Sequence, residues 1–222
     1  MKVAILASGS GTNAQAIIER ARSGVLDADI ACVISNHAHA RVLERAERAG
    51  IATRVFELAD YSSRTGLDKA IVAYLREAEA DLVVLAGYML IVGRQFIDAF
   101  PGRIMNIHPA LLPSFPGMAG IASAYEYGVR LTGVSVHFVA EDVDAGALII
   151  QAALPVLEGE SLEDLANRIH ALEHRIYPQA IQWFAEGRLS CQGRKVSLAA
   201  GAKKQVKPDG DWLVWPPLEE GF

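Results

Sequence analysis

Asn106 and His108 stand two residues apart near the end of an apolar run, Arg103-Ile104-Met105-Asn106-Ile107-His108, which Pro109 closes. Side chains at i and i+2 share one face of a strand, so the carboxamide and the imidazole point the same way as Ile104. Pro109 has no N–H to give and ends the ladder there. An amide N–H beside an imidazole suits acyl transfer, because both can donate to an oxygen that gains negative charge at a tetrahedral carbon. The imidazole can also move protons near neutral pH. An isolated Asn-x-His fits equally well a turn-capping asparagine and a hydrogen-bonded histidine at the edge of a core, so the surrounding pattern has to decide.

A second chemistry-bearing stretch, Ser8-Gly9-Ser10-Gly11-Thr12-Asn13, lies between the first apolar run and the first helical pattern. Glycine-rich turns that open a helix present backbone N–H groups to an anion, usually phosphate. The stretch is not a dinucleotide Gly-x-Gly-x-x-Gly, because Ala14 stands at the third glycine's place, and it lacks the Gly-Lys-Ser/Thr of a Walker loop. One small phosphate ester is the expected ligand; the alternative is a tight turn with Thr12 as helix cap.

The elements that must position these residues follow a βαβα rhythm. Short β-branched runs at 2–7, 30–35, 53–56 and 82–86 alternate with amphipathic stretches at 13–23, 38–49 and 63–79. The run Leu82-Val83-Val84-Leu85-Ala86 is apolar throughout, as for a strand covered on both faces. After residues 103–108 come a Pro/Gly-rich loop to Gly120, a short helix near 123–127 and two strands at 133–139 and 147–152, joined by the acidic loop 141–146. These predict an antiparallel portion. Ser161 with Asp164 opens a long helix to about Glu186. The tail, with Lys207-Pro208-Asp209-Gly210-Asp211 between two apolar runs, reads as one hairpin. The expected fold is a Rossmann-like, doubly wound α/β sheet, mostly parallel, with an antiparallel C-terminal portion. The expected organisation is a single domain over 1–189, with a phosphate-binding half at 1–100 and a catalytic half at 101–189, followed by an extension over 190–222.

The composition narrows the function. A net charge of -5 over 222 residues disfavours a nucleic-acid surface. Cys32 and Cys191 give neither a disulfide framework nor paired metal-ligand spacing. The apolar start is shorter than a signal peptide and no later stretch is long enough to span a bilayer, so no membrane partner and a cytoplasmic location are expected. His37 and His39 read as solvated, His174 as a residue on a helix face, and His137 as a supporting histidine within a strand.

Taken in order, Ser8 to Asn13, Leu85-Ala86-Gly87-Tyr88-Met89, Asn106-Ile-His108-Pro-x-Leu-Leu-Pro113-x-Phe-Pro-Gly117, Gly133-x-Ser135-Val-His137-Phe-Val139 and Asp142-x-Asp144-x-Gly146 resemble the phosphoribosylglycinamide formyltransferases, folate-dependent enzymes of purine synthesis. The resemblance runs from residue 1 to about 189. It implies transfer of the formyl group of 10-formyltetrahydrofolate to the amine of glycinamide ribonucleotide, with no metal and with a monomer or homodimer as the assembly. It implies a catalytic trio of Asn106, His108 and Asp144, and a ribose-phosphate loop of Gly11, Thr12 and Asn13. Folate then lies against Arg64, Met89, Leu90, Ile91, Val92, Asn106 and the loop Ala140, Glu141, Asp142, Val143 and Asp144. His170 and Glu173, at i and i+3 on a helix, fall where the family holds glycinamide.

In that setting Asn106 and a protonated His108 are the oxyanion donors, and Asp144 keeps the imidazole charged and orients the proton-shuttling water. Read alone, Asp144 could simply top a hairpin loop with Asp142, and Arg64 could be a solvated helix residue. One departure stands out: many relatives carry a histidine-bearing segment after Pro116-Gly117, where this chain has Met118-Ala119-Gly120-Ile121-Ala122. Rival readings are another folate-dependent formyltransferase, a formyltetrahydrofolate hydrolase, and a non-catalytic module that binds a phosphate ligand. An enzyme acting on tRNA would call for a basic domain, and a hydrolase has no need of a phosphate loop.

Overall fold

Four consecutive residues of the first strand, Val3 to Leu6, have no solvent exposure, and the same holds for Leu82, Val83 and Val84. Runs apolar on both faces can only be central strands of a covered sheet. The computed structural model describes residues 1–222, and the chain forms two compact units, Met1–Asn106 and Ile107–Phe222.

The first unit runs β1 (Lys2–Leu6), α1 (Thr12–Arg22), β2 (Asp29–Ser35), α2 (Arg41–Arg48), β3 (Thr53–Val55), α3 (Arg64–Glu77), β4 (Leu82–Leu85) and α4 (Arg94–Ala99) into β5 (Ile104–His108). Its strands are parallel, in the order β5-β4-β1-β2-β3. The chain moves outward from β1 to β3 and then returns to the other side of β1. The carboxyl ends of β1 and β4 therefore flank the switch in direction, where open α/β sheets bind ligands. Ser8, just past β1, donates its N–H to the Gly87 carbonyl at 3.0 Å, and its hydroxyl accepts from Met89 N–H at 2.8 Å.

α2 begins at Arg41, three residues later than its sequence pattern indicates, and in the segment before it Ala38 N–H donates to the Glu57 carboxylate. α4 was not expected at all: six residues behind Gly93 are too few to show a helical period.

The second unit contains α5 (Gly120–Tyr127), β6 (Leu131–Phe138), β7 (Leu148–Pro155) and α6 (Leu162–Ala185). β6 and β7 are antiparallel, with a register shift between Val136 and His137. The mostly parallel α/β class with antiparallel strands toward the C-terminus is thus as expected. α6 packs on β6 and β7, burying Leu165, Ile169, Ile176, Tyr177 and Trp183 completely, and Ser161 caps it by accepting from Asp164 N–H at 3.1 Å.

In the tail the hairpin lies earlier than the turn at Lys207–Asp211 suggests. It is formed by β8 (Leu189–Gln192) and β9 (Lys195–Leu198). The strands that flank the expected turn, β10 (Gln205–Val206) and β11 (Leu213–Trp215), do not pair with each other: β10 joins β12 (Leu218–Glu219) and β11 adds to the edge of β7. Polar contacts fix this arrangement. Glu219 accepts from Arg188 at 2.7 Å, with both side chains nearly buried, and its N–H donates to Gln179 of α6 at 2.7 Å.

Candidate active site

β5 ends with His108, whose imidazole is buried and meets a buried carboxylate. His108 Nδ1 lies 3.4 Å from Asp144 Oδ2, and the side chains are 5% and 7% exposed. Asp144 comes from the loop between β6 and β7. The Gly117 N–H donates to its Oδ2 at 2.8 Å, and His137 Nε2 stands 3.6 Å from its Oδ1. Burial pushes the Asp144 carboxyl up, but the His137 imidazole, the Gly117 N–H and the His108 charge outweigh it and hold the group below its ordinary range. Asp144 is therefore an ionised, enclosed carboxylate and not the tip of a solvated hairpin.

Two backbone features bring it there. Asp144 adopts a left-handed conformation, φ 53°, which aspartate tolerates better than most residues. Gly146 passes so near β6 that a Cβ would lie 1.6 Å from the Phe138 carbonyl oxygen. Only glycine allows that approach.

The loop after β5 is tied down by side chains that the resemblance leaves without a role. Ser135 Oγ accepts from Leu112 N–H at 3.0 Å and donates to the Ala110 carbonyl at 2.7 Å, while Gln151 Nε2 donates to the Leu112 carbonyl at 3.1 Å. His108 Nε2 sits 2.7 Å from the Phe115 carbonyl. The departure at 118–122 has a steric counterpart: a Cβ at Gly120 would stand 3.1 Å from His108 Nε2, so the bare glycine lets the start of α5 lie against the imidazole.

In the first unit the loop after β1 is turned by its carbonyls. Val42 N–H donates to the Gly9 carbonyl at 3.2 Å and Arg45 Nε to the Ser10 carbonyl at 2.8 Å. Across a trans peptide the N–H points opposite to the C=O, so the N–H groups of Ser10 and Gly11 face away from α2. Gly11, φ 71°, occupies the cap position of α1, where a Cβ would meet Val42 at 2.6 Å. The alternative of Thr12 as cap is thereby excluded; Thr12 is the first helical residue, followed by Asn13.

Arg64, at the start of α3, pairs with Asp68 at 3.2 Å and donates to the Ile91 carbonyl, and Asp68 accepts from Gly93 N–H at 2.9 Å. This clamp ties α3 to Met89-Leu90-Ile91-Val92, where Met89 and Ile91 remain 53% and 65% exposed and Val92 is buried. Arg64 is thus not simply solvated. Asn106 is half-buried, in register with Leu85 of β4.

On α6, His170 Nδ1 and Glu173 Oε2 are 2.9 Å apart, with Glu173 buried and His170 half-exposed. The hydrogen bond to Glu173 raises the His170 pKa against the opposing effect of burial. Ala140, Glu141, Asp142 and Val143 are exposed. The structure thus pairs His108 with Asp144, Arg64 with the 89–92 segment, and His170 with Glu173.

Residues 1–181 match the family model described as formyl transferase. The chain belongs to the formyl transferase family. Phosphoribosylglycinamide formyltransferase of Haemophilus influenzae is 46% identical over 188 residues, which are 85% of this chain and 89% of that protein. The crystal structure of glycinamide ribonucleotide transformylase 1 from Symbiobacterium toebii superposes with a TM-score of 0.89 at 50% identity, covering 90% of this chain and 94% of that one. The trifunctional purine biosynthetic protein adenosine-3 of Gallus gallus is 47% identical over 187 residues, 84% of this chain but 19% of that protein, so the formyl transferase chain spans about a fifth of this longer relative.

Sequence reasoning did not assign roles to Ser135, Gln151 or Gly146. Strand alternation offered a signal for one of them: Gly133, Ser135 and His137 share a face of β6, the face on which Ser135 reaches the loop after β5.

Proposed function

We propose that this chain transfers the formyl group of 10-formyltetrahydrofolate to the amine of 5'-phosphoribosylglycinamide, giving formylglycinamide ribonucleotide and tetrahydrofolate in the synthesis of IMP. The observation that carries this reading is the buried, ionised Asp144 held against His108 at the end of the strand that also bears Asn106. The family membership and the relatives named above support it.

The folate co-substrate brings a formyl carbon already activated as an N-formyl group. As the acceptor amine adds to that carbon, negative charge grows on the formyl oxygen, and in this reading the Asn106 amide N–H and the His108 imidazole N–H donate to it. His108 Nε2 now spends its proton on the Phe115 carbonyl; presenting that N–H to the formyl oxygen means exchanging one acceptor for the other. Asp144 orients the imidazole and the water that carries the proton from the amine to the folate nitrogen, which is protonated as the C–N bond breaks. Gly11, Thr12 and Asn13 take the phosphate at the start of α1, and the buried Glu173 with His170 takes the glycinamide end. Arg64, the exposed Met89 and Ile91, and the loop 140–144 take the folate.

The test is a formyl-transfer assay with 10-formyltetrahydrofolate, comparing glycinamide ribonucleotide with its dephosphorylated riboside. The expected result is transfer to the ribonucleotide with kcat/KM at least about 100-fold higher than to the riboside, the loss of several charge-assisted hydrogen bonds. Equal use of both acceptors, or release of formate without transfer, would refute the assignment.

A further inference from the structure

We infer that His137 is a positioning residue for this formyl transfer: it engages the second oxygen of Asp144, so that one carboxylate is held between two imidazoles and faces His108 in a single orientation. The inference rests on the function proposed above and adds a residue that the trio of Asn106, His108 and Asp144 leaves out.

The argument begins with His137 Nδ1, 2.8 Å from the Phe138 carbonyl oxygen. A carbonyl only accepts, so Nδ1 carries a hydrogen. The ring is also confined from behind, since a Cβ at Gly146 would come 3.1 Å from the same nitrogen. With Nδ1 committed, Nε2 is the atom presented to Asp144 Oδ1, at 3.6 Å, an ion-pair separation longer than a formed hydrogen bond. A neutral ring would turn a lone pair toward the carboxylate. The contact is attractive only when both nitrogens carry hydrogen.

His108 repeats this pattern, with Nε2 on the Phe115 carbonyl and Nδ1 toward Asp144 Oδ2. The two rings thus anchor on main-chain carbonyls and converge on opposite oxygens of one carboxylate. Gly117 N–H engages the Oδ2 side, and His137 engages Oδ1.

The titratable groups that face Asp144 are His108 from β5 and His137 from β6; the segment after β5 contributes the Gly117 N–H, and Glu141 and Asp142 of its own loop are exposed. The chain has no histidine between Gly117 and Ala122, so the second imidazole on this carboxylate comes from β6. Loss of His137 would free the carboxylate to rotate away from His108, and misplacement of about 1 Å in such a unit can cost about 100-fold in rate.

Two substitutions separate this role from packing. In His137→Asn the amide nitrogen stands where Nδ1 does and keeps the Phe138 contact but cannot reach Asp144. In His137→Gln the amide nitrogen stands where Nε2 does and restores a donor to Oδ1. The expected result is that His137→Asn lowers kcat about 10–100-fold with little change in either KM, that His137→Gln recovers part of the loss, and that the Asp144 carboxyl, followed by 13C NMR, titrates at higher pH in His137→Asn than in the parent. In an Asp144→Asn background, His137→Asn should cost nothing further.

A parental kcat in His137→Asn, equal losses in both variants with an unmoved Asp144 titration, or a full additional loss in the Asp144→Asn background would each overturn the inference. If the parent protein transfers no formyl group, the proposed function fails, and the Asp144 titration still decides whether His137 governs the carboxylate.

Discussion

Gly146 runs so close to Phe138 that a Cβ on it would sit 1.6 Å from the Phe138 carbonyl oxygen, the same oxygen that accepts from His137 Nδ1. The path of the loop bearing Asp144 therefore depends on a missing methyl group. Gly146→Ala should push that loop off β6 and separate Asp144 from His108. The expected outcome is a loss of kcat of about 100-fold or more, with a fall in stability of about 1–3 kcal/mol from overpacking, read by steady-state kinetics and thermal unfolding. Parental activity would show that the loop relaxes without moving Asp144.

The loop at the start of α1 should govern acceptor binding. Asn13→Ala removes a polar side chain beside the N–H groups proposed to meet the phosphate. KM for glycinamide ribonucleotide is expected to rise about 10-fold or more while folate affinity, measured by calorimetry, stays at the parental value. Equal weakening of both ligands would count against this placement.

Asn106 should matter to turnover and little to folding, since its side chain is only half-buried, two residues before the end of β5. Asn106→Ala is expected to melt near the parental temperature, bind both substrates and lose about 10²–10³ in kcat, the usual cost of one oxyanion donor. Near-normal turnover would remove it from the mechanism.

The ionisable pairs predict opposite pH dependences. Glu173 raises the His170 pKa above its ordinary 6.5, so the stability this pair contributes is full below that value and is lost as pH rises through the higher folded-state value. The melting-temperature gap between the parent and His170→Gln should be constant below pH 6.5 and shrink above it. Asp144, held below its ordinary 3.8, contributes stability that is full above that value and is lost as pH falls through the lower one. A His170→Gln gap that does not change with pH would show that the Glu173 contact carries no charge.

How far these features are legible in the sequence depends on what creates them. β1, β4 and β5 show in the chain because apolar runs covered on both faces leave few alternatives, and the spacing of Asn106 and His108 gives their shared face directly. Asp144 is visible only through its motif: its burial arises from a left-handed turn and from the close approach of Gly146, neither of which has a period. The second imidazole is hidden for a similar reason, since alternation places His137 on a face of β6 without saying what that face meets. In the tail, Pro208-Asp209-Gly210 reads as a hairpin turn. The pairing partners of β10 and β11 are chosen instead by Arg188, Glu219 and Gln179, and by the open edge of β7.

The central claim is that His108 and Asp144 work as one unit, and a double-mutant cycle on kcat tests it most directly. His108→Ala should cost on the order of 10²–10⁴, Asp144→Asn should also lower turnover, and the double variant should be little slower than the slower single one, because removing either member already disables the pair. Losses that multiply in the double variant would contradict the account, showing that the imidazole and the buried carboxylate 3.4 Å from it act independently.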